Sequence, residues 1–436
     1  MSPRSCRSYP EAMGKSEDAD KIGPFALWCL VAGGMVGGGI YTALGVVVAL
    51  AGQWAWLSFL IAGLVALPSA VSYCRLTNHF GRSGGAFEFL EELERKGMAG
   101  SLSWLLLIGY VLTIALYAFA FGHYVAFAFH GGAVTTRVIA VVVMVLLIGL
   151  NLLGVGKMKM LEIGTVVGNL VILVGLAAYG IVHFDSHALT SGIEPRPLWA
   201  SLIGAASIFV SYEGFQLVSY EYEQLKSPRQ YLTPVVVSGV VFVVLLYMAV
   251  AIGATSLAGA LTVIQQKQVA LSLAAYEALG LPGLATLTLA AAMATAAAIN
   301  STLFSSANLA ARIAKDRELP ALFADRNDKG VPEAGVLVLG VMATVLAATG
   351  SLSVLVETAS LAFLVTFSVV NAIPCRELEG QGGLPLLGLV VGGVIGIFLL
   401  LRLFISAGPA LLGFLVLTSL IFVGRPYILE RVKLED

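Results

Sequence analysis

Charged residues are scarce in this sequence. Asp, Glu, Lys and Arg make up only 12% of the 436 residues, whereas 58% are hydrophobic and the mean hydropathy is +0.92. A soluble globule of this length needs far more polar residues to cover its surface. The formal net charge of −1 also excludes a polybasic nucleic-acid binder. The chain is therefore expected to lie in a lipid bilayer.

Cysteines and motifs for catalysis are scarce as well. The four cysteines are scattered and form no CxxC pair, so no zinc site or disulfide framework is expected. The sequence contains no HExxH or GxxxxGK[ST] motif and no convergent set of His and Asp, which argues against a membrane enzyme and against transport driven by its own ATP hydrolysis. The sequence also lacks the filter-like repeat that a channel would need. We expect neither a cofactor nor a resident metal.

Long apolar runs recur along the whole chain. About 20 helical residues cross the ~30 Å hydrocarbon core, and the runs predict twelve spans. These spans begin near residues 24, 53, 100, 135, 158, 198, 232, 282, 333, 352, 384 and 407. The polar residues 1–22 lack the apolar core and cleavage site of a signal peptide, and are interpreted as a cytoplasmic tail. The predicted fold is an all-α integral membrane protein.

The positions of Lys and Arg support this count. With twelve spans and both tails (1–22 and 425–436) in the cytoplasm, all but four of the 25 Lys and Arg residues lie on the cytoplasmic side. The four exceptions are Arg137, Arg196, Lys267 and Arg402. With one span fewer in mid-chain, the Lys and Arg residues would no longer be concentrated on one side of the membrane.

The first span contains GGMVGGGIYTALG, with five glycines within seven positions. Each costs a helix about 1 kcal/mol relative to alanine. Close helix packing explains Gly33 and Gly37, which are four residues apart. It explains the consecutive glycines 37–39 less well, because consecutive side chains point in different directions. We favour an unwound segment, which survives in a membrane only when it is buried in protein or lines a cavity.

A second interruption lies in the sixth span, five spans later. Ser211, Tyr212, Glu213, Gly214 and Gln216 break an apolar run at membrane depth, where polar residues are costly. Interruptions at matching positions of two five-helix halves indicate an inverted-repeat transporter. The predicted transporter domain covers 23–424, with repeats at 24–183 and 198–373 and two added helices at 384–424.

Three segments resemble the amino acid, polyamine and organocation transporter superfamily. VGGGIYTALG is similar to its glycine-rich first helix. FVSYEGFQ, followed by two glutamates and KSPRQYLTP, is similar to its sixth helix, and SSANLAARIAKDRELPALFADRNDKGVPEAG to the end of its eighth helix. The segments occur in the family's order. The resemblance implies a leucine-transporter-like 5+5 fold.

The resemblance also implies roles for individual residues. In that family the unwound first helix offers N–H groups to a substrate carboxylate, and carbonyls of the first and sixth helices accept from its amino group. A half-helix that begins after the glycines supplies such donors, together with the positive end of its dipole. The residues carried over by position are Gly37, Gly38 and Gly39 as donors to the carboxylate, and Met35, Val210 and Glu213 as backbone acceptors for the amino group. Ser211, next to Val210, is expected to line the same substrate site.

The coupling ion is less determined. The family's sixth-helix glutamate is here Gln216, which leaves Glu213 as the candidate proton carrier. The lysine that some proton-coupled members have in the fifth helix is absent, so sodium remains an alternative. Asn300 and Ser301 are weak candidates for cation ligands, and local hydrogen bonding is the favoured explanation for both. Tyr110 and Tyr117 could close over a substrate or only pack.

The resulting prediction is a secondary active transporter in the plasma membrane. It moves amino acids or closely related amines by alternating access, with a proton as the expected coupling ion. Sodium symport and amino acid exchange are the alternatives. The expected partners are an amino acid, the coupling ion and lipid, with no nucleic acid. The particular amino acid and the oligomeric state stay open.

Overall fold

The structure is a computed structural model that describes residues 21–93, 96–154, 159–378 and 382–421. Within these ranges the regular structure is helical, and only an isolated bridge between Ile22 and Leu225 has β-type pairing. Nearly all of the predicted N-terminal tail, and the whole of the predicted C-terminal tail, lie outside the described residues. The all-α class predicted from the sequence is confirmed.

Sixteen α-helices are numbered here in chain order through the described ranges. The first half contains α1 (Pro24–Val36), α2 (Gly39–Ala51), α3 (Ala55–Phe80), α4 (Gly85–Glu92), α5 (Lys96–Ala128), α6 (Ala133–Leu152) and α7 (Lys159–Val182). The second half contains α8 (Ala200–Ser207), α9 (Pro228–Ala258), α10 (Ala260–Gln265), α11 (Ala270–Leu279), α12 (Leu281–Lys315), α13 (Glu333–Thr349), α14 (Leu352–Glu377), α15 (Gly383–Ser406) and α16 (Gly408–Ser419). Short 3₁₀ segments connect them at Gly52–Trp54, Ala188–Thr190, Phe209–Tyr212, Phe215–Gln224 and Ala321–Phe323.

Eight helical stretches of the described chain are long and apolar enough to cross a membrane, or nine if the bent pair Ala200–Ser207 and Phe209–Gln224 is one span. The longest, Pro24–Phe80, has 57 residues and includes α1, α2 and α3. Two shorter apolar helices, α11 and α13, are also present.

Local residue types explain several helix ends. Pro24 and Pro228 begin α1 and α9, where the missing proline N–H breaks no intrahelical bond. Gly52 follows the last residue of α2 with a φ of +56°, which suits glycine, and Gly81 follows α3 with a φ of +68°, the usual left-handed cap. These turns separate α2 from α3 and α3 from α4.

Two helices, α5 and α9, each pack against several others. α5 lies against α6, α12, α13 and α14, and 89% of the residues in its most apolar stretch are buried. α9 packs on α1, α3 and α7. By contrast, only 28% of the residues in the most apolar stretch of α6, and likewise of α15, are buried. Exposed valines and leucines form an apolar outer face on these two helices. The buried α5 and the interrupted first and sixth segments therefore occupy the interior.

Several buried polar side chains inside this framework are paired across helices. The Arg402 guanidinium in α15 donates to Glu357 in α14 at 2.9 Å, and the Glu357 side chain is only 3% exposed. Asn371 in α14 exchanges hydrogen bonds with Ser69 and Ser72 in α3 at 2.9 and 2.7 Å. Such pairing offsets the cost of placing polar groups in an apolar interior.

Candidate functional site

The first interruption lies where the glycine cluster predicts it. α1 ends at Val36 and α2 begins at Gly39. The Gly37 N–H donates to the Gly33 carbonyl at 2.8 Å, so it continues the last turn of α1. Gly38 is the N-cap of α2, and no side chain of the described residues caps it. The first N–H groups of α2 lie at the positive end of its dipole, and that of Ile40 faces the Tyr247 hydroxyl.

The second interruption is sharper. The axis bends by 55° between Ala200–Ser207 and Phe209–Gln224. Between the two 3₁₀ segments, Glu213 is extended and Gly214 has a φ of +125°, a conformation that side chains rarely adopt. A Cβ on Gly214 would also overlap the backbone of Gly34. Glycine at position 214 thus permits both the bend and direct backbone contact with α1.

The two interruptions meet in the interior. Ser211 donates from Oγ to the Gly39 carbonyl at 3.3 Å. A Cβ on Gly39 would lie 2.5 Å from both the Ser211 carbonyl oxygen and the Tyr247 hydroxyl. Tyr247 in α9 lies 2.8 Å from the Met35 carbonyl and 3.0 Å from the Ser211 carbonyl, and its single proton serves one of them at a time. Tyr247 therefore links the carbonyl ends of both broken helices.

The sequence prediction missed Tyr247. Its only signal is one polar hydroxyl within the apolar run VVFVVLLYMAVAI. Ser360 in α14 was also missed: it accepts from the Val210 N–H at 2.9 Å and donates to the Ser207 carbonyl at 2.8 Å. The backbone carbonyl of Val210 accepts from the Glu213 N–H at 3.0 Å. The polar backbone around the bend is thus largely paired in this conformation.

Glu213 is 1% exposed and accepts two side-chain hydrogen bonds. The Tyr117 hydroxyl donates to Oε2 at 3.3 Å, and Gln216 Nε2 donates to Oε1 at 3.1 Å. The ring of Tyr117 also lies directly against Gly38, since a Cβ on Gly38 would overlap the ring. Tyr117 thus contacts both interruptions. The sequence alone did not decide whether this residue packs or closes over a substrate.

Tyr110, seven residues before Tyr117 on α5, continues this cluster. Its hydroxyl accepts from Gln216 Nε2 at 3.3 Å and lies 2.9 Å from the Tyr220 hydroxyl. Tyr220 in turn lines a large cavity. The cluster therefore extends from Gly38 through Glu213 to the cavity wall.

This cavity has a volume of about 780 Å³. Gly34, Leu217 and Ser301 line its inner end, close to the two interruptions, whereas the exposed Lys315 and Arg326 lie at its rim. It is large enough for a small organic molecule. The rim residues belong to the group of Lys and Arg predicted on the cytoplasmic side.

An ion cluster joins α4 to α12 beside the rim. Arg312 donates to the buried Glu88 carboxylate at 2.6 Å, and Arg82 lies 3.6 Å from Glu88 and 2.5 Å from Glu92. Burial raises the pKa of Glu88, and the two arginines oppose this effect. The cluster ties the α4 connection to one wall of the cavity.

A second, small cavity of about 20 Å³ lies between α1, α7 and α12. It accommodates one water molecule or one ion without its hydration shell. Gly33, Gly37, Thr165, Asn169 and Ser301 are among its lining residues. The described residues contain no group of three or more His, Cys, Asp or Glu arranged for a metal.

The two weak cation candidates have different positions. Ser301 lines the small cavity and donates locally to the Ala298 carbonyl at 3.3 Å. Asn300 instead accepts from Asn151 Nδ2 at 2.8 Å, through which α12 contacts α6. Asn169 accepts a hydrogen bond from the Tyr41 hydroxyl. Only Ser301 of the two candidates therefore faces the small cavity.

Comparison with known proteins gives a consistent result. Residues 22–373 match a family model described as amino acid permease. The chain is 28% identical over 384 residues to the inner membrane transport protein YbaT of Escherichia coli, with 85% of this chain and 87% of that protein covered. It is 26% identical to the mitochondrial cationic amino acid transporter 3 of Arabidopsis thaliana (78% and 59% covered), and 23% identical to the serine/threonine exchanger SteT of Bacillus subtilis (52% and 53% covered).

Proposed function

The chain belongs to the amino acid permease family, and we propose that it is a secondary active transporter that moves amino acids across the plasma membrane by alternating access. As a multi-pass membrane transport protein of this family, it is a transporter rather than an enzyme. The observation that carries the proposal is the meeting of two interrupted helices, where Ser211 Oγ lies 3.3 Å from the Gly39 carbonyl oxygen. Paired interruptions of this kind mark substrate sites in secondary transporters.

We propose twelve spans with both tails cytoplasmic. Pro24–Phe80 would be about 85 Å long as one straight helix, more than twice the membrane core, so it counts as two spans that separate at Gly52–Trp54. Each of the seven other stretches counts as one span, which gives nine. The remaining three are the bent pair around Glu213, the helix α13, and the last predicted span, of which α16 is the described helix.

The division into repeats follows from this count. Repeat one covers 24–183, repeat two 198–373, and the added helices 384–424, all within a transporter domain of 23–424. The tails are 1–22 and 425–436. The large cavity then opens toward the cytoplasm, because the basic rim residues lie on the side that the distribution of Lys and Arg assigns to it.

In the proposed site the substrate carboxylate is held by the N–H groups of Gly37, Gly38 and Gly39. Its amino group is held by the backbone carbonyls of Met35, Val210 and Glu213, and Ser211 lines the same site. In this conformation Tyr117 covers Gly38. Three of the expected partners are already hydrogen-bonded: the Gly37 N–H to the Gly33 carbonyl, the Met35 carbonyl to Tyr247, and the Val210 carbonyl to the Glu213 N–H. Substrate binding therefore requires these contacts to exchange for contacts with the amino acid.

The first test combines binding and transport. Purified protein is screened by thermal shift against the twenty amino acids, because a ligand that binds only the folded state raises its melting temperature. Amino acids that bind are then tested for uptake into proteoliposomes without nucleotide. Uptake of at least one supports the proposal. A folded protein that neither binds nor takes up any of the twenty contradicts it.

We propose that a proton on Glu213 couples uptake. Glu213 is the buried carboxylate next to both interruptions, and its Oε2 faces the Tyr117 hydroxyl over Gly38. A carboxylate in this position is able to change its protonation state when the substrate arrives or leaves.

Sodium coupling is the second candidate, and the small cavity favours it. Its volume of about 20 Å³ and the oxygen atoms of Thr165, Asn169 and Ser301 suit one ion. Imposed pH and sodium gradients, applied separately to the same proteoliposomes, distinguish the two. Accumulation driven by sodium alone would reject Glu213 as the coupling group.

A further inference from the structure

The orientation of the Gln216 side-chain amide follows from its partners. The Gly214 backbone N–H can only donate, and it lies 2.9 Å from Gln216 Oε1. The amide nitrogen must then lie on the other side, where it is 3.1 Å from Glu213 Oε1 and 3.3 Å from the Tyr110 hydroxyl. An amide nitrogen has two hydrogens and accepts none, so both hydrogens are in use.

This arrangement orders the hydrogen bonds beyond Gln216. Tyr110 accepts from Gln216, and its own proton is free to point to the Tyr220 hydroxyl, 2.9 Å away. Tyr220 lines the large cavity. A continuous chain of hydrogen bonds therefore leads from Glu213 through Gln216, Tyr110 and Tyr220 to the cavity.

Gln216 is the member of this chain that does not titrate. The two tyrosine hydroxyls each donate and accept, so each is able to receive one proton while it releases another. The amide nitrogen of Gln216 has no lone pair to receive a proton from Glu213. A proton on Glu213 Oε1 would also face an N–H donor, which is unfavourable.

Glu213 Oε2 is different. Its partner is the Tyr117 hydroxyl, which donates to an ionised carboxylate and, after rotation, accepts from a protonated one. The titratable groups that face Glu213 are Tyr110 and Tyr117 of α5, Tyr220 of its own segment and Tyr247 of α9. All four are phenols, which stay protonated at neutral pH.

From this geometry we propose that Gln216 is a positioning residue that insulates Glu213 from the large cavity. It leaves Oε2, on the side of Tyr117 and Gly38, as the oxygen through which the proton enters and leaves. Gain or loss of the proton on Oε2 changes the charge of the cluster by one, and Tyr117 keeps its own proton while its hydrogen bond to Oε2 reverses direction. Insulation of this kind prevents protons from crossing without substrate. The inference rests on the proposed proton coupling at Glu213.

The test is proton leak in the absence of any amino acid. Proteoliposomes with a trapped pH-sensitive dye receive a potassium diffusion potential, and the rate of internal pH change is recorded. Gln216→Glu places a titratable carboxyl between Glu213 and Tyr110. We expect its leak to exceed that of wild type by about tenfold or more, since a positioned proton-transfer group typically contributes ~100-fold or more.

Two controls make the interpretation specific. Gln216→Met has a similar volume but no proton to transfer, and its leak should equal that of wild type. Gln216→Glu with Tyr110→Phe removes the hydroxyl that continues the chain, so its leak should return to the wild-type rate. Gln216→His is a second titratable replacement if the glutamate variant does not insert into the membrane.

A titratable variant that is folded, binds substrate and does not leak overturns the proposal. So does a leak in Gln216→Met, or one that persists without the Tyr110 hydroxyl. The leak assay needs no substrate. Failure of the proposed coupling is seen separately, as wild-type protein that a pH gradient does not drive to accumulate substrate.

Discussion

The replacement Gly38→Val is the sharpest test of whether the glycines of the first interruption bind the substrate carboxylate. The three atoms nearest to a Cβ built at Gly38 all belong to the ring of Tyr117, and they lie too close for any side chain. In the present conformation the valine must therefore displace this ring. In the proposed substrate-bound conformation it occupies the space through which the carboxylate approaches the N-terminus of α2.

These two effects have separate magnitudes. Overfilling a packed interior costs about 1–3 kcal/mol, which lowers the melting temperature of the substrate-free protein. A hydrogen bond to a charged group contributes about 1.5–3 kcal/mol, so loss of one N–H contact to the carboxylate weakens binding by about 10- to 150-fold. Loss of more than one contact abolishes binding in practice.

A second variant separates the effects. Tyr117→Ala lowers the melting temperature by itself, because it empties a buried site. Once the ring is absent, we expect Gly38→Val to cause much less further loss of melting temperature than it causes in wild type, and still to lower the affinity. The control is Gly168→Val in α7, where a Cβ would have no neighbour within 4 Å. Affinity is measured by titration of the purified protein with the amino acid found in the thermal-shift screen. Wild-type affinity in folded Gly38→Val refutes the assignment of the glycines.

Three further predictions concern coupling, stability and topology. Glu213→Gln keeps the shape and removes the charge change, so it should lose accumulation driven by a pH gradient and still exchange substrate; accumulation at the wild-type level rules out Glu213 as the carrier. Glu357→Ala leaves Arg402 without its partner and should cost about 3 kcal/mol, measured as a lower melting temperature, whereas an unchanged value would mean that the pair does not stabilise the fold. In a cysteine-free background, an impermeant thiol reagent added to intact cells should label a cysteine at Glu194 and not one at Arg229; the opposite pattern contradicts the topology.

Composition and local pattern predicted the helical class and the two interruptions. Consecutive glycines at 37–39 are costly in a helix, and Ser211 to Gln216 are costly at membrane depth, so both features are visible without knowledge of tertiary contacts. The structure has helix ends at Val36 and Ser207, next to these segments.

The partners of these segments were not predictable. Tyr247 in α9 contacts Ser211, which is 36 residues away in the sequence. Ser360 in α14 contacts Val210, which is 150 residues away. Which face of a membrane helix points inward depends on its neighbours, and apolar residues cover all sides of these helices. For the same reason the sequence left Tyr117 undecided and did not reveal that Asn300 pairs with Asn151.

Counterflow tests alternating access at the paired interruptions most directly. Proteoliposomes are loaded with a high concentration of an unlabelled amino acid that binds the protein, then diluted into a trace of the labelled form, with no ion gradient imposed. The account predicts transient accumulation of label above its equilibrium level, because each outward passage of unlabelled substrate returns a site that captures label, and it predicts no such overshoot with Gly38→Val. Label that only approaches equilibrium with wild type, or an overshoot that survives in Gly38→Val, would contradict it.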